Sequence, residues 1–232
     1  MGKNKPHGVS AITPAMAQRI GLSQSAAQVM TVRPPRLLLI AGATGVGKST
    51  ATVGLASHLG ITRVISSDAI REIMRATSDD DERAALHRSS FSQGESGEAV
   101  NDWLSTCRAV EPGLKATINR ARREGIDLIV EGVHIVPSAR LLRDWTDSGG
   151  VALGVVMVVD DPTDHRAMLK SRDAHSYRRS DRYLANFDRI RSIQNGLIER
   201  AKIANWDQVD PTRVDDVERI VTLLERTVRD RR

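Results

Sequence analysis

Apolar positions in this chain fall into short continuous runs separated by amphipathic stretches. Leu37-Leu38-Leu39-Ile40-Ala41 is the first run, bounded by Pro34-Pro35 before it and a glycine-rich segment after it. A continuous apolar run of strand length closed by a turn predicts a strand buried on both faces. A helix is expected from Lys48 to Leu59, then a strand over Arg63 to Ser66 and a helix over Asp68 to Ala76. Ile126 to Val130 predicts a strand, Pro137 to Trp145 a helix, and Val151 to Val159 the longest strand. Further helices are expected over Asp164 to Ser171, Tyr183 to Ala204 (one long amphipathic helix) and Val214 to Arg229, with a short last strand at Gln208-Val209. This alternation predicts an α/β fold of three layers, with a central parallel sheet of about five strands, right-handed crossovers and helices on both faces.

Two regions depart from the pattern. Residues 1–35, with a possible helix between Pro14 and Met30, read as an N-terminal extension too short to fold as a domain. Residues 36–232 read as one α/β domain. Within it, Asp79 to Glu124 is too long for one crossover and reads mostly helical, placed to cover a ligand at the carboxyl ends of the strands. The acidic run Asp79-Asp80-Asp81-Glu82 reads as a solvated turn rather than a metal site.

Composition narrows the function classes. No apolar run approaches the ~20 residues of a membrane span. The single cysteine, Cys107, excludes an internal disulfide and suits a cytoplasmic protein, where it is expected as a small buried residue. The net charge of +5 suits an anionic partner. Aromatics at 3% disfavour nucleic acid, because unpaired strands are commonly held by base stacking.

Gly42-Ala43-Thr44-Gly45-Val46-Gly47-Lys48-Ser49 matches the phosphate-cradle pattern G-x-x-x-x-G-K-[ST] in full. Glycines permit backbone conformations that turn successive N–H groups inward, and a helix N-terminus stands behind them. ATP and Mg²⁺ are therefore the expected cofactors, held by Gly42, Thr44, Gly45, Val46, Gly47, Lys48, Ser49 and Thr50. Lys48 is expected on the β- and γ-phosphates and Ser49 on the metal. No Asn-Lys-x-Asp element is present, which leans towards adenine over guanine.

Three features favour phosphoryl transfer to a small molecule. Asp68 stands at the end of the second strand, where a carboxylate can orient an acceptor hydroxyl and take its proton; an N-cap role is the alternative. Arg71 and Arg75 share its helical face and suit an anionic substrate. Glu131 ends the third strand as a candidate metal-side acid, with Asp160 the competing position and His134 on the same rim. A cluster after the fourth strand (Arg166, Lys170, Arg172, Arg178, Arg179, Arg182) predicts an Arg-rich lid, with Arg172 and Arg179 favoured as catalytic cations beside Lys48 and Asp68.

The segments GATGVGKST, RVISSDAIREIMR, EGIDLIVEGVHIVP and YLANFDRIRSIQNGLIERA, in that order, resemble the 2-phosphoglycerate kinase family over roughly residues 36–210. The resemblance implies a P-loop kinase of the nucleoside-monophosphate-kinase-like class that uses ATP and Mg²⁺. It would phosphorylate the 3-hydroxyl of 2-phosphoglycerate to give 2,3-bisphosphoglycerate, with Asp68 facing that hydroxyl and Arg71, Arg75 and His134 near the substrate. Readings that compete are a polynucleotide or nucleoside kinase and a non-catalytic ATP-binding regulatory module.

Overall fold

The computed structural model describes residues 33–78, 84–171 and 181–229. Five strands form one sheet: β1 (Arg36–Gly42), β2 (Val64–Ser66), β3 (Leu128–Gly132), β4 (Val151–Met157) and β5 (Asp207–Val209). Every pairing is parallel, and the spatial order is β2-β3-β1-β4-β5. All seven residues of β1 are buried, as a central strand covered on both faces must be.

Eight α-helices connect and cover these strands among the described residues: α1 (Lys48–Leu59), α2 (Ser67–Ala76), α3 (Ala99–Glu124), α4 (Ala139–Thr146), α5 (Pro162–Ser171), α6 (Asp181–Ala185), α7 (Phe187–Ala204) and α8 (Val214–Arg229). Helices α1 and α8 pack on each other, as do α3 and α7. The core between the helices and the sheet is aliphatic, with Trp103 and Trp145 its largest members. Each indole finds a carbonyl, Trp103 on Val133 at 2.7 Å and Trp145 on Pro35 at 3.0 Å, so neither N–H is left unsatisfied inside. The edge of the domain reaches back to Arg33, which pairs with Asp127 at 2.6 Å beside the Arg36–Asp127 pair at 2.7 Å.

One expectation needs correction. The stretch from Tyr183 to Ala204 is two helices, not one. At Asn186 the amide side chain donates to the Arg182 carbonyl at 2.9 Å, and the backbone N–H bonds Tyr183 instead of continuing α6 into α7. The long crossover is mostly helical, as expected. A short 3₁₀ turn at Ala84–Leu86 and an irregular loop precede α3, which runs through Pro112 without ending. The acidic run at 79–82 and the expected helix at 14–30 lie outside the described residues. Among the described residues no helix is long and apolar enough to cross a membrane.

Sheet register builds the site. Ile40 is level with Glu131 across β1 and β3, and Glu131 is level with Ser66 across β3 and β2. Three strands therefore end together: β1 runs into the glycine cradle, β2 into the helix that carries Asp68, and β3 ends at Gly132, just past Glu131.

Candidate active site

The cradle is built from backbone. Gly45 and Gly47 take φ of 90° and 81°, the left-handed region open to glycine. Gly47 is the N-cap of α1, and no side chain caps that helix, nor does an acid stand in its first turn. Its first N–H groups are thus left for an external anion, as a phosphate site requires. Lys48 donates through Nζ to the Ala43 carbonyl at 2.8 Å, which holds the ammonium at the rim. Ser49 Oγ donates to Glu131 Oε1 at 3.0 Å. A hydroxyl and one carboxylate, completed by phosphate oxygens and water, form the hard-oxygen set that Mg²⁺ takes. The residues present therefore fit both a triphosphate and its metal. Among the described residues no three His, Cys, Asp or Glu side chains cluster as a metal cage, so the metal would rest mainly on the nucleotide.

A cleft of about 900 Å³ opens from this end. Thr44, Lys48, Ser49, Glu131 and Asp68 line it near the cradle, while Arg71, Ser89, Ser90, Phe91 and Arg182 line its other end. The cap of α2 is Ser66, whose Oγ accepts the Ala69 N–H at 3.1 Å. Asp68 is therefore not the cap, and its side chain is 58% exposed, open to the cleft.

The arginines divide. Arg71 donates to the carbonyls of Leu86 and Arg88 at 3.0 and 3.1 Å, so it ties down the loop before α3 while lining the cleft. Arg75 pairs with Glu72 and lines only a more open depression beside the cleft, with His87, Arg88 and Arg182. Arg172 and Arg179 lie outside the described residues. Asp160 does not line the cleft; its carbonyl accepts from Arg191 and its neighbour Asp161 caps the start of α5. Of the cradle residues, Thr44, Lys48 and Ser49 present side chains to the cleft, Val46 is buried in the core, and Thr50 is exposed.

His134 stands behind the cleft rather than in its wall. Gly132 makes this possible: its φ is 149°, and a Cβ there would lie 1.8 Å from Ser67 Oγ. Ser67 and His134 then meet, Oγ to Nδ1, at 3.1 Å. Burial lowers the His134 pKa to about 4, although the Asp68 charge acts in the opposite sense. Its 3.6 Å approach to Asp68 is accordingly no ion pair at neutral pH.

Several supporting residues carried no motif. His165 on α5 meets the Thr44 carbonyl through Nε2 at 2.9 Å and so braces the cradle from outside. Asp102 on α3 is 2% exposed and accepts from the N–H groups of Gly94 and Ser96, from Ser96 Oγ, and from Arg189 at 2.8 Å. Burial alone would raise its pKa, but these donors hold it well below the usual carboxylate range. Arg182 contacts Ser89 Oγ and lies over the Phe91 ring at 5.2 Å. Ser89, Ser90 and Phe91 sit in a loop with no periodicity, so only Arg182, part of the basic cluster, left a sequence signal.

A central parallel sheet, a glycine cradle at the end of its middle strand and an uncapped helix behind that cradle define a P-loop nucleotide-binding fold. A family model described as an AAA domain matches residues 37–196. The 2-phosphoglycerate kinase of Methanopyrus kandleri is 34% identical over 200 residues, 82% of this chain and 61% of that protein. That of Methanothermobacter thermautotrophicus is 31% identical over 219 residues, 87% of this chain and 70% of that protein. The chain thus belongs to the AAA-domain family and to the 2-phosphoglycerate kinase family. It spans 61–62% of the length of the first two curated relatives it matches. A gluconokinase from Sinorhizobium meliloti shares the fold, with a TM-score of 0.50 at 18% identity over 86% of this chain and 97% of that one.

Proposed function

We propose that this chain transfers the γ-phosphoryl group of ATP to a hydroxyl of a small anionic metabolite, and that the acceptor is 2-phosphoglycerate, giving 2,3-bisphosphoglycerate. The observation that carries the reading is the composition of one cleft: Lys48, Ser49, Glu131 and Asp68 at one end, Arg71, Arg182, Ser89 and Ser90 at the other. Two guanidinium groups and two hydroxyls suit an acceptor bearing phosphate and carboxylate. The curated relatives named 2-phosphoglycerate kinase favour that acceptor.

Cradle amides and Lys48 bind the triphosphate and offset charge that builds on the γ-phosphoryl oxygens. Ser49 and Glu131 would hold Mg²⁺, which would supply further neutralisation of that charge. Asp68 orients the acceptor hydroxyl and takes its proton as the oxygen–phosphorus bond forms and the bond to the β-phosphate oxygen breaks. Arg71 and Arg182 fix the acceptor anion, while Arg172 and Arg179 are assigned to a closing lid that excludes water. Arg75 and His134 are assigned supporting places around the acceptor. The lone buried Cys107, its thiol kept protonated by burial, favours a reducing, cytoplasmic setting.

An ADP-release assay with 2-phosphoglycerate, shikimate, gluconate and a 5′-hydroxyl oligonucleotide as rival acceptors tests this. ADP formation that depends on 2-phosphoglycerate is expected. Release driven by the oligonucleotide instead would move the chain to nucleic-acid end chemistry, and none with any acceptor would leave a nucleotide-binding module.

A further inference from the structure

A second concavity, of about 500 Å³, lies between α3 and α4 on the other side of the Val133–His134 segment from the phosphate cleft. Cys107, Leu114 and Leu141 give it an apolar wall, and His134 closes one end. His134 is buried, and its Nε2 has no hydrogen-bond partner. Because Nδ1 is engaged by Ser67 on the cleft side, Nε2 on the opposite edge of the ring points away from the cleft, towards this groove.

We read the Ser67 contact with Oγ donating to Nδ1, which puts the ring hydrogen on Nε2. Ser67 Oγ accepts the backbone N–H of His134 at 3.4 Å, and among the described residues its own hydrogen has one acceptor, His134 Nδ1. An imidazole that accepts at Nδ1 carries its hydrogen on Nε2. The ring is neutral at physiological pH, since burial lowers its pKa to about 4. The groove thus contains a buried N–H donor with no acceptor, a costly arrangement that a ligand oxygen would relieve.

Its charges point to the same class of ligand. Four cations line the groove against two carboxylates: Lys115 pairs with Glu111 at 2.6 Å, Arg122 donates to the Asp144 carbonyl at 3.0 Å, and the Asp144 carboxylate also faces the groove. Arg108 on α3 and Arg140 in the first turn of α4 also line the groove, and no described carboxylate pairs with either. We propose that this groove is a second ligand site, for a small organic anion: a carboxylate or phosphate group on an apolar body. The anionic group accepts from His134 Nε2 and sits between Arg108 and Arg140, while the body lies against Leu114 and Leu141. Such a ligand would reach the cleft through one bond, because Ser67 opens the helix whose next residue is Asp68.

The test is a titration of the isotope-labelled chain, followed by NMR, with benzoate, phenyl phosphate and the neutral benzyl alcohol. Each is run with the cradle filled by a non-hydrolysable ATP analogue and magnesium, and again without it. Saturable shifts at Val133–Ser138 and Arg108 are expected from one or both anions, with Kd of about 1–10 mM for fragments of this size. They should persist with the cradle filled, and benzyl alcohol should bind about tenfold more weakly. In the double variant Arg108→Ala/Arg140→Ala, both exposed positions, affinity for the anions should fall about tenfold while nucleotide-induced shifts at residues 42–49 stay as they are. A long-range ¹⁵N spectrum should show the His134 hydrogen on Nε2 before ligand is added. Shifts confined to 42–49, equal binding of the alcohol, indifference to the double variant, a hydrogen on Nδ1, or no saturable shift would each overturn the proposal. Nucleotide binding, read at 42–49 in the same samples, stands or fails separately.

Discussion

The two ends of the cleft are made in opposite ways. At the cradle, eight consecutive residues supply the site, and its key donors are backbone N–H groups that glycine geometry and α1 aim at one point. At the other end, which we propose binds the acceptor, Arg71 comes from α2, Ser89 to Phe91 from an irregular loop and Arg182 from α6, so the lining there is side chains. The first end needs only local conformation. The second depends on a tertiary brace: Asp102 gathers Gly94, Ser96 and Arg189, while Arg189 also donates to the Phe91 carbonyl at 3.0 Å. An invariant group such as a triphosphate suits a short rigid loop, whereas an acceptor site assembled from separate segments can change its specificity without disturbing the cradle.

Substitutions can break or sharpen this contrast. Lys48→Ala should lower kcat about a thousandfold with little change in Tm, because the loss is of charge stabilisation rather than packing. A normal kcat would remove the cradle lysine from the chemistry. Asp102→Asn should act on the other end: breaking a buried ion pair costs about 3 kcal/mol, read as a lower Tm and a raised acceptor KM with the ATP KM nearly unchanged. Its pH dependence has a definite sign. The folded-state pKa is depressed from 3.8, so the stabilisation is present above about pH 4 and is lost as pH falls through the folded value. The wild type should therefore show an acid limb in Tm that the Asn variant lacks in part; identical limbs would deny Asp102 the role.

Asp68→Asn should lower kcat about a hundredfold, with ATP binding and Tm held, since the residue is not the helix cap. A variant that loses Tm and keeps kcat would make the aspartate structural. The smallest effect is expected from Arg182→Ala, a rise in acceptor KM of about tenfold at near-normal kcat. Arg71→Ala should give that rise plus a drop in Tm, because Arg71 also holds the Leu86 and Arg88 carbonyls. If the two variants behave alike, the loop tether contributes nothing measurable.

Most of the fold was legible. Apolar runs at 37–41 and 151–159 pointed to strands covered on both faces, and the parallel sheet followed from their alternation with helices. The break at Asn186 was not legible, because the apolar spacing continues across it and only a side-chain bond to Arg182 ends the first helix. Within the site, the nearness of Ser49 to Glu131 could be anticipated from strand ends. His134 could be placed near the rim, but not behind Ser67, since that depends on the backbone angle of one glycine.

Local chemistry settled whatever consecutive residues can settle. A glycine pattern dictates where N–H groups point, and an apolar run dictates that a segment is buried, whatever lies elsewhere in the chain. Folding alone decided which distant side chains share a space: Arg182 against Ser89, His165 on the Thr44 carbonyl, and Asp102 among four donors from two other segments. Those contacts depend on register, crossing angles and loop paths set by the packing of the whole core, and no short stretch of sequence encodes them.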